Sequence, residues 1–361
     1  MPSMSASKHP SERPVLSGAV RVDGTGPAVA AALDAALGEI RRAGWRVARI
    51  GEDGAGIDAI PQGVADLLVC PAARAAPILQ SGRPPACGLL LTGGSDAASA
   101  ALPCLPESGL DGFAILQALG GGGIERALAE SVTAGTPVER VLVGLNWTLV
   151  RAGGYCGVAR SPDRGTEGAR SLRGEGTLRG RPLAEIARML LSLDPLARSV
   201  GLAAANAFWN RPAADTDRCA TGAPAGFARF QPPGEGLAVV GGFAEVRRRL
   251  PRARIIEREP RDGEVPAERA EEALAAARQV AITAQTLMNG SLERLLTLSS
   301  GASIRMLIGP SAPLCPSLFA HGLTDISGIV VEDPERLETF IAETGARILE
   351  DGMVRSTAIA A

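Results

Sequence analysis

Leu237-Ala238-Val239-Val240-Gly241-Gly242-Phe243 is a short apolar run that ends in paired glycines and leads into an amphipathic stretch. A buried parallel strand reads this way, followed by a tight turn into a helix whose free N–H groups can hold an anion. A second apolar step, Ala253 to Ile256, ends at Glu257, about where a doubly wound fold places an acid beside its ligand. The pattern then repeats. Strands are expected at 279–283, 303–308 and 326–330, with helices at 243–250, 268–277, 291–299 and 334–344. Together these predict an open, mainly parallel sheet with helices on both faces.

In such a sheet ligands collect at the C-terminal strand ends. Those ends carry Gly241-Gly242-Phe243, then Glu257, Thr283 and Gly309-Pro310-Ser311, with Asn289 just beyond the third. A dinucleotide site uses G-x-G-x-x-G, and only the first pair of glycines is present. Phe243 and Glu245 put bulk and negative charge where a pyrophosphate would approach, so NAD is disfavoured as a cofactor. The glycines equally suit a close strand-to-helix turn that holds no ligand. Asn289 suits either a ligand contact or a turn before Gly290, and Ser291 is expected to cap the next helix. Ser311 offers a hydroxyl but has no histidine near it in sequence to activate it.

A net charge of −2 gives no electrostatic reason to bind nucleic acid or a membrane, and 3% aromatics leave few surfaces for stacking bases. Lys8 is the only lysine, which leaves little scope for Schiff-base chemistry. Cys70, Cys87, Cys104, Cys156, Cys219 and Cys315 form no C-x-x-C pair and read as buried thiols of a reducing, cytoplasmic setting. Histidine is confined to His9 and His321. Cys315 and His321 are the weak candidates for a metal, short of the three or four concentrated ligands that zinc requires.

Four segments follow. Residues 1–17 are a polar leader. Residues 18–116 hold a small additional α/β unit, with strands expected at 45–50, 65–70 and 87–92. Residues 117–222 hold an α+β unit, and residues 223–361 the Rossmann-like domain. In the α+β unit an alternating strand over 138–150 is interrupted at Gly144-Leu145-Asn146, and 155–159 pairs with it as a hairpin. Helices are expected at 183–193, with Pro182 at its first position, and at 196–209. The stretch from Ser161 to Arg181 has no periodicity and reads as a loop or lid. In the second helix Gly201, Ala204 and Ala205 form a small-residue face, and Asn206 and Asn210 share a face at i, i+4 spacing. Asn146 and Asn206 therefore either line a cleft against the last domain or serve structural hydrogen bonding.

Several of these segments resemble a bacterial and archaeal family described as heavy-metal chelation proteins, in which an enolase N-terminal-like unit precedes a Rossmann-like domain. The resemblance covers about 117–350 and rests on Val143 to Thr148, Gly201 to Ala207, Val240 to Phe243, Thr283 to Gly290 and Gly309 to Pro316. It implies a site between the two family domains, lined by Gly242, Phe243, Asn289 and Ser311, with Asn146 and Asn206 approaching from the other side. Ala284 stands where family members commonly have glycine. The expected function is a cytoplasmic binding protein for a small anionic or metal-chelating ligand, in metal or cofactor handling, with any metal held through the ligand or at a weak mixed site including Cys315 or His321. Two alternatives stay open: an enzyme that transfers or isomerises a group on a small anionic metabolite, and a homo-oligomeric scaffold. The expected partners are a small molecule or metal chelate and further copies of the chain, not nucleic acid or membrane.

Overall fold

Two faces decide how each strand of this chain is built. In a computed structural model, the residues of the final sheet alternate between two separate cores. Ala238, Val280, Ile282 and Leu307 point into one, and Leu237, Val239, Ala281, Met306 and Ile308 into the other. The structure describes residues 19–22, 26–42, 47–49, 67–71, 88–93, 104–105 and isolated positions up to 119, then everything from 122 onward except 163–171, 173–176, 193, 213–223, 258 and 351. The leader over 1–17 lies outside the described residues, as do most of 161–181 and the stretch 213–223. The chain divides into two compact units, Met1–Gly123 and Ile124–Ala361.

The first unit carries a five-stranded, all-parallel sheet in the order β2-β3-β4-β1-β5. Its strands are β1 (Ala19–Val22), β2 (Val47–Arg49), β3 (Leu67–Pro71), β4 (Gly88–Thr92) and β5 (Cys104–Leu105). Leu67 to Cys70 and Leu89 to Leu91 are buried, as near-continuous apolar runs are in parallel sheets covered on both sides. Helix α1 (Pro27–Arg42) buries Leu33, Leu37 and Ile40, one face of its helical repeat. β1 and β5 are additions to the three strands read from the sequence.

The second unit opens with α2 (Gly123–Glu130) and a three-stranded antiparallel sheet, β6 (Val138–Val143), β7 (Trp147–Ala152) and β8 (Tyr155–Arg160). The single strand expected over 138–150 is thus two, because the chain reverses at Gly144. The space a Cβ would need there is filled by Ile341, at 2.7 Å from both its side chain and its carbonyl. Helix α3 (Leu183–Ala187) continues as a 3₁₀ turn over Arg188–Leu191. Pro182 precedes it at the N-cap rather than in its first turn, with φ −59° and ψ 138°. Asp194 caps α4 (Pro195–Trp209) by accepting from the N–H groups of Leu196 and Ala197 at 2.8 and 3.1 Å. The small-residue face has a definite use: a Cβ on Gly201 would sit on the backbone of Leu190, and one on Gly157 on the backbone of α4. The sheet is buried on its other face as well, where Leu149, Cys156 and Val158 pack with Leu337 and Ile341.

The seven-stranded sheet has the order β11-β10-β9-β12-β13-β14-β15. Its strands are β9 (Leu237–Val240), β10 (Arg254–Glu257), β11 (Val265–Pro266), β12 (Gln279–Thr283), β13 (Ile304–Ile308), β14 (Asp325–Val331) and β15 (Val354–Ala360). All pairs are parallel except β14 with β15. The first six strands therefore stand in the doubly wound order 3-2-1-4-5-6, and the seventh runs antiparallel along the edge. Helices α5 (Ala244–Arg249), α6 (Ala270–Ala275), α7 (Thr286–Asn289), α8 (Leu292–Leu298) and α9 (Pro334–Ala342) connect or flank them. The chain is thus α/β as expected: an N-terminal α/β unit, an enolase N-terminal-like α+β part and a Rossmann-like sheet. β11 and β15 were not among the expected strands. Among the described residues, no helix is long and apolar enough to cross a membrane.

Candidate functional site

In the 3-2-1-4-5-6 order the chain leaves β9 toward β10 on one side and returns to β12 on the other, so the switch point, the place where doubly wound sheets hold ligands, lies between the ends of β9 and β12. Register places the strand ends together: Val240 is opposite Ile256 and Ile282, and Thr283 is opposite Ile308. Gly241, Glu257, Thr283 and Gly309 follow or end those strands and form one crest. Gly241, Phe243, Glu257, Thr283, Gly309 and Pro310 are half-buried, and Gly242 is exposed.

The glycine turn is shaped by close approach. Gly241 has φ +115°, a region that only glycine visits freely, and a Cβ there would stand 3.0 Å from both Phe243 and Thr283. Its N–H donates to the Ile256 carbonyl at 3.1 Å, and the Phe243 N–H donates to the Gly241 carbonyl at 3.1 Å. The Phe243 ring packs edge-on against Phe227, with centroids 5.0 Å apart. At Gly242 a Cβ would lie 2.5 Å from Oε1 of Glu257 and 3.3 Å from Nη2 of Arg247, so the carboxylate rests on bare backbone. Arg247 gives Nε and Nη2 to Glu264 Oε1, both at 2.7 Å. Burial pushes the Glu264 carboxyl up, but the Arg261 N–H and the Arg247 guanidinium outweigh it and hold the group below its usual range.

Around the crest, Thr283 accepts at its Oγ1 from the Gln285 N–H at 3.4 Å, and its carbonyl accepts from the Thr286 hydroxyl at 2.7 Å. Asn289 is exposed. Its Oδ1 accepts from both the N–H and the hydroxyl of Ser291, at 3.0 and 2.7 Å. Ser291 stands at the N-cap of α8, yet its hydroxyl points back to Asn289 and not into the helix, which corrects the expected cap. The segment from Gly309 to Pro316 is held from beneath. Nδ2 of Asn206 donates to the carbonyls of Val158 and Ser311 at 2.7 and 3.0 Å. Asn210, one turn on, donates to the Ala312 carbonyl at 2.9 Å and accepts from the Leu314 N–H at 2.8 Å. Ser311 is buried, and its hydroxyl accepts from the Arg160 N–H at 2.9 Å. The loop passes directly over Gly328 of β14, where a Cβ would strike the Ala312 carbonyl.

Asn146 bonds elsewhere, donating to the Thr344 carbonyl at 2.8 Å, beside Trp147, whose Nε1 donates to the Ala346 carbonyl at 3.0 Å. The sequence reading overlooked a buried ion pair. Arg198 of α4 lies 3.2 Å from Glu125 of α2 and donates to the Leu287 carbonyl at 2.5 Å. Burial raises the Glu125 carboxyl above its ordinary value although the Arg198 charge opposes this, and burial likewise lowers Arg198. The signal is an arginine in the first turn of the otherwise apolar helix PLARSVGLAAANAFW.

Cys315 is fully buried, with its thiol 3.0 Å from the Ser317 hydroxyl and 3.6 Å from that of Ser131, and His321 ends a 3₁₀ turn. Among the described residues no three His, Cys, Asp or Glu side chains gather into a set that could hold a metal ion.

Two family models, both described as "Putative heavy-metal chelation", match residues 125–209 and 227–360. The chain belongs to this family. A solved structure of a heavy-metal chelation family protein of unknown function from Desulfitobacterium hafniense is 28% identical, with a TM-score of 0.59, over 67% of this chain and 99% of that one. A second, from Pyrococcus horikoshii, is 19% identical with a TM-score of 0.53 over 66% and 98%, and speaks to the fold alone. Comparison with curated proteins gives no significant match. The N-terminal α/β unit lies outside both matched regions.

Proposed function

We propose that the protein binds a small metal-chelating ligand on the crest of the seven-stranded sheet. Gly241, Gly242, Glu257, Thr283, Gly309 and Pro310 would surround it, with Asn289 at its margin. One observation carries the reading: the strand order reverses at β9, and the switch point this makes is flanked by a glycine at φ +115° that no other residue could replace without strain. Asn206, Asn210 and Ser311 act beneath this site, fixing the Gly309–Pro310 rim before any ligand arrives, which lowers the ordering cost of binding. Because the described side chains gather no metal-ligating set, the ligand supplies most of the donors and carries the metal as cargo.

The test uses full-length protein purified from its own host. Native mass spectrometry should show a non-covalent adduct of small-molecule size, lost on denaturation together with a metal detected by elemental analysis. Thr283→Arg, which puts bulk at the switch point between β9 and β12, should release the adduct while the protein stays folded. Protein at the bare chain mass, with no metal co-eluting, sinks the proposal.

A further inference from the structure

We infer that Asn289 is a modification site: in the folded chain its side-chain amide is lost as ammonia to attack by the backbone nitrogen of Gly290, and water then leaves an aspartate or isoaspartate in its place. The inference goes beyond the crest reading and does not need a ligand to be held there.

Of the four asparagines in the sequence, Asn146, Asn206, Asn210 and Asn289, only Asn289 is exposed and only Asn289 precedes a glycine. Asn206 and Asn210 are buried with their amides tied to backbone, and Asn146 is followed by the bulky Trp147. A glycine matters because its nitrogen must close a small ring, which a side chain on the same residue would crowd. Gly290 stands at φ +74°, and even a Cβ placed there would meet nothing closer than 3.9 Å.

The carbon to be attacked is already prepared. Oδ1 of Asn289 accepts from both the N–H and the hydroxyl of Ser291, at 3.0 and 2.7 Å. The first of these bonds reaches across Gly290 and so folds the side-chain carbonyl toward the peptide that attacks it. Two donors on one carbonyl oxygen draw electrons from Cγ and stabilise the oxyanion that develops there. The Ser291 N–H also reaches the Thr286 carbonyl at 3.0 Å, which fixes these donors in place. This gives a use to a hydroxyl that stands at the N-cap of α8 without serving that helix.

The step balances without an oxidant or a cofactor. Gly290 gives its N–H proton to solvent base, and its nitrogen bonds to Cγ of Asn289, placing the negative charge on Oδ1. The Cγ–Nδ2 bond then breaks, and the amide nitrogen leaves as ammonia with a proton from water. Water opens the resulting succinimide at either carbonyl, so the whole reaction consumes one water and releases one ammonia.

One bond holds it back. The Gly290 N–H donates to the Thr286 carbonyl at the end of α7, a helix of only 4 residues. The body of α7 is fastened behind that point, by the Thr286 hydroxyl on the Thr283 carbonyl and by Arg198 on the Leu287 carbonyl. Freeing Gly290 is therefore a local event that breaks one backbone bond and leaves about a tenth or more of the molecules open. An aspartate product keeps both Ser291 bonds and strengthens them, whereas isoaspartate lengthens the main chain beneath them. Either product sets a negative charge at the margin of the crest.

The test holds the full-length protein in mildly alkaline buffer, folded and in denaturant, and maps it by peptide mass spectrometry with fragmentation that separates aspartate from isoaspartate. Asn289 should be the first asparagine of the folded chain to convert, at no less than about a tenth of its rate in denaturant, and with a larger share of aspartate. Ser291→Ala should slow the conversion about two- to tenfold in the folded chain and not at all in denaturant, the scale of one hydrogen bond. The inference falls if Asn289 of the folded chain converts more slowly than that fraction, if another asparagine converts first, or if folded and denatured chains give the same product mixture. It falls equally if Ser291→Ala leaves the folded rate unchanged or raises it. The mapping uses unaltered protein, so a folding defect in the variant cannot mask the answer. Absence of a native adduct leaves this inference standing, and a lasting Asn289 amide leaves the crest reading standing.

Discussion

Asn210→Ala probes the brace beneath the Gly309–Pro316 segment. The side chain is 4% exposed and pairs two backbone groups that have no water to turn to, the carbonyl of Ala312 and the N–H of Leu314. Removing it leaves both unpaired. Each buried orphan costs about 1–3 kcal/mol, so the expected destabilisation of the Ile124–Ala361 unit is about 2–6 kcal/mol. For a unit of this size that corresponds to a fall in Tm of about 5–15 °C. The damage should also be local. Amide exchange at Leu314 should accelerate far more than exchange in β12 or β13, because the brace acts on the loop and not on the ladder. Asn210→Asp keeps an acceptor for Leu314 but sets a carboxylate against the Ala312 carbonyl, so it should be no better than alanine. Differential scanning calorimetry and hydrogen exchange read both variants. A Tm within 2 °C of the parent, or unchanged exchange at Leu314, would refute the view that the rim is held from α4.

Breaking the buried pair on one side, as in Arg198→Met, should cost about 3–5 kcal/mol, whereas Arg198→Met with Glu125→Leu should recover most of it; a denaturant double-mutant cycle shows which. Because burial raises the Glu125 carboxyl, its contribution is full below the unfolded value of 4.5 and is lost as pH rises through the folded one. Glu125→Gln should therefore flatten the decline of stability above pH 4.5 measured across a buffer series. Gly201→Ala should leave the chain insoluble or lower its stability by about 3 kcal/mol, since a Cβ meets the Leu190 backbone, while Gly135→Ala, with nothing within 4 Å, should be silent. The Cys156 thiol, pushed up to about 12 by burial, should resist an aromatic disulfide reagent at pH 8 and label only with global unfolding, as followed by mass spectrometry. Asn289→Ala, which removes an exposed acceptor for two bonds from Ser291, should cost at most about 1 kcal/mol in stability, and calorimetry with the native ligand would show whether affinity falls as well.

Local pattern made much of this architecture legible. The LAVV, RIIE, QVAIT and IRMLI segments are short, apolar and separated by helical runs, which is what a parallel sheet with two covered faces requires. β15 was missed because VRSTAIA mixes polar and apolar residues, and its strand character comes from pairing along all of β14. β11, two residues long, carries no periodic signal at all. The asparagines of α4 were placed on one helix face by spacing. Their partners lie from 48 to 105 positions away in the chain, so which backbone groups they satisfy could not be read locally. Glu257 was flagged by its place after an apolar step. That Gly242 exists to give its carboxylate room is a fact of three dimensions only.

The stitching of α4 to the loop over β14 has an evolutionary consequence. The first matched region and the residue just after it meet the second through the side chains of Asn206 and Asn210, bonded to the main chain at Ser311, Ala312 and Leu314, and through the Ser311 hydroxyl on the Arg160 N–H. Neither half can be inherited alone without leaving its neighbour with unsatisfied polar groups, so recombination between lineages should favour crossovers that keep the pair intact. The N-terminal α/β unit is its own compact body and falls outside both regions.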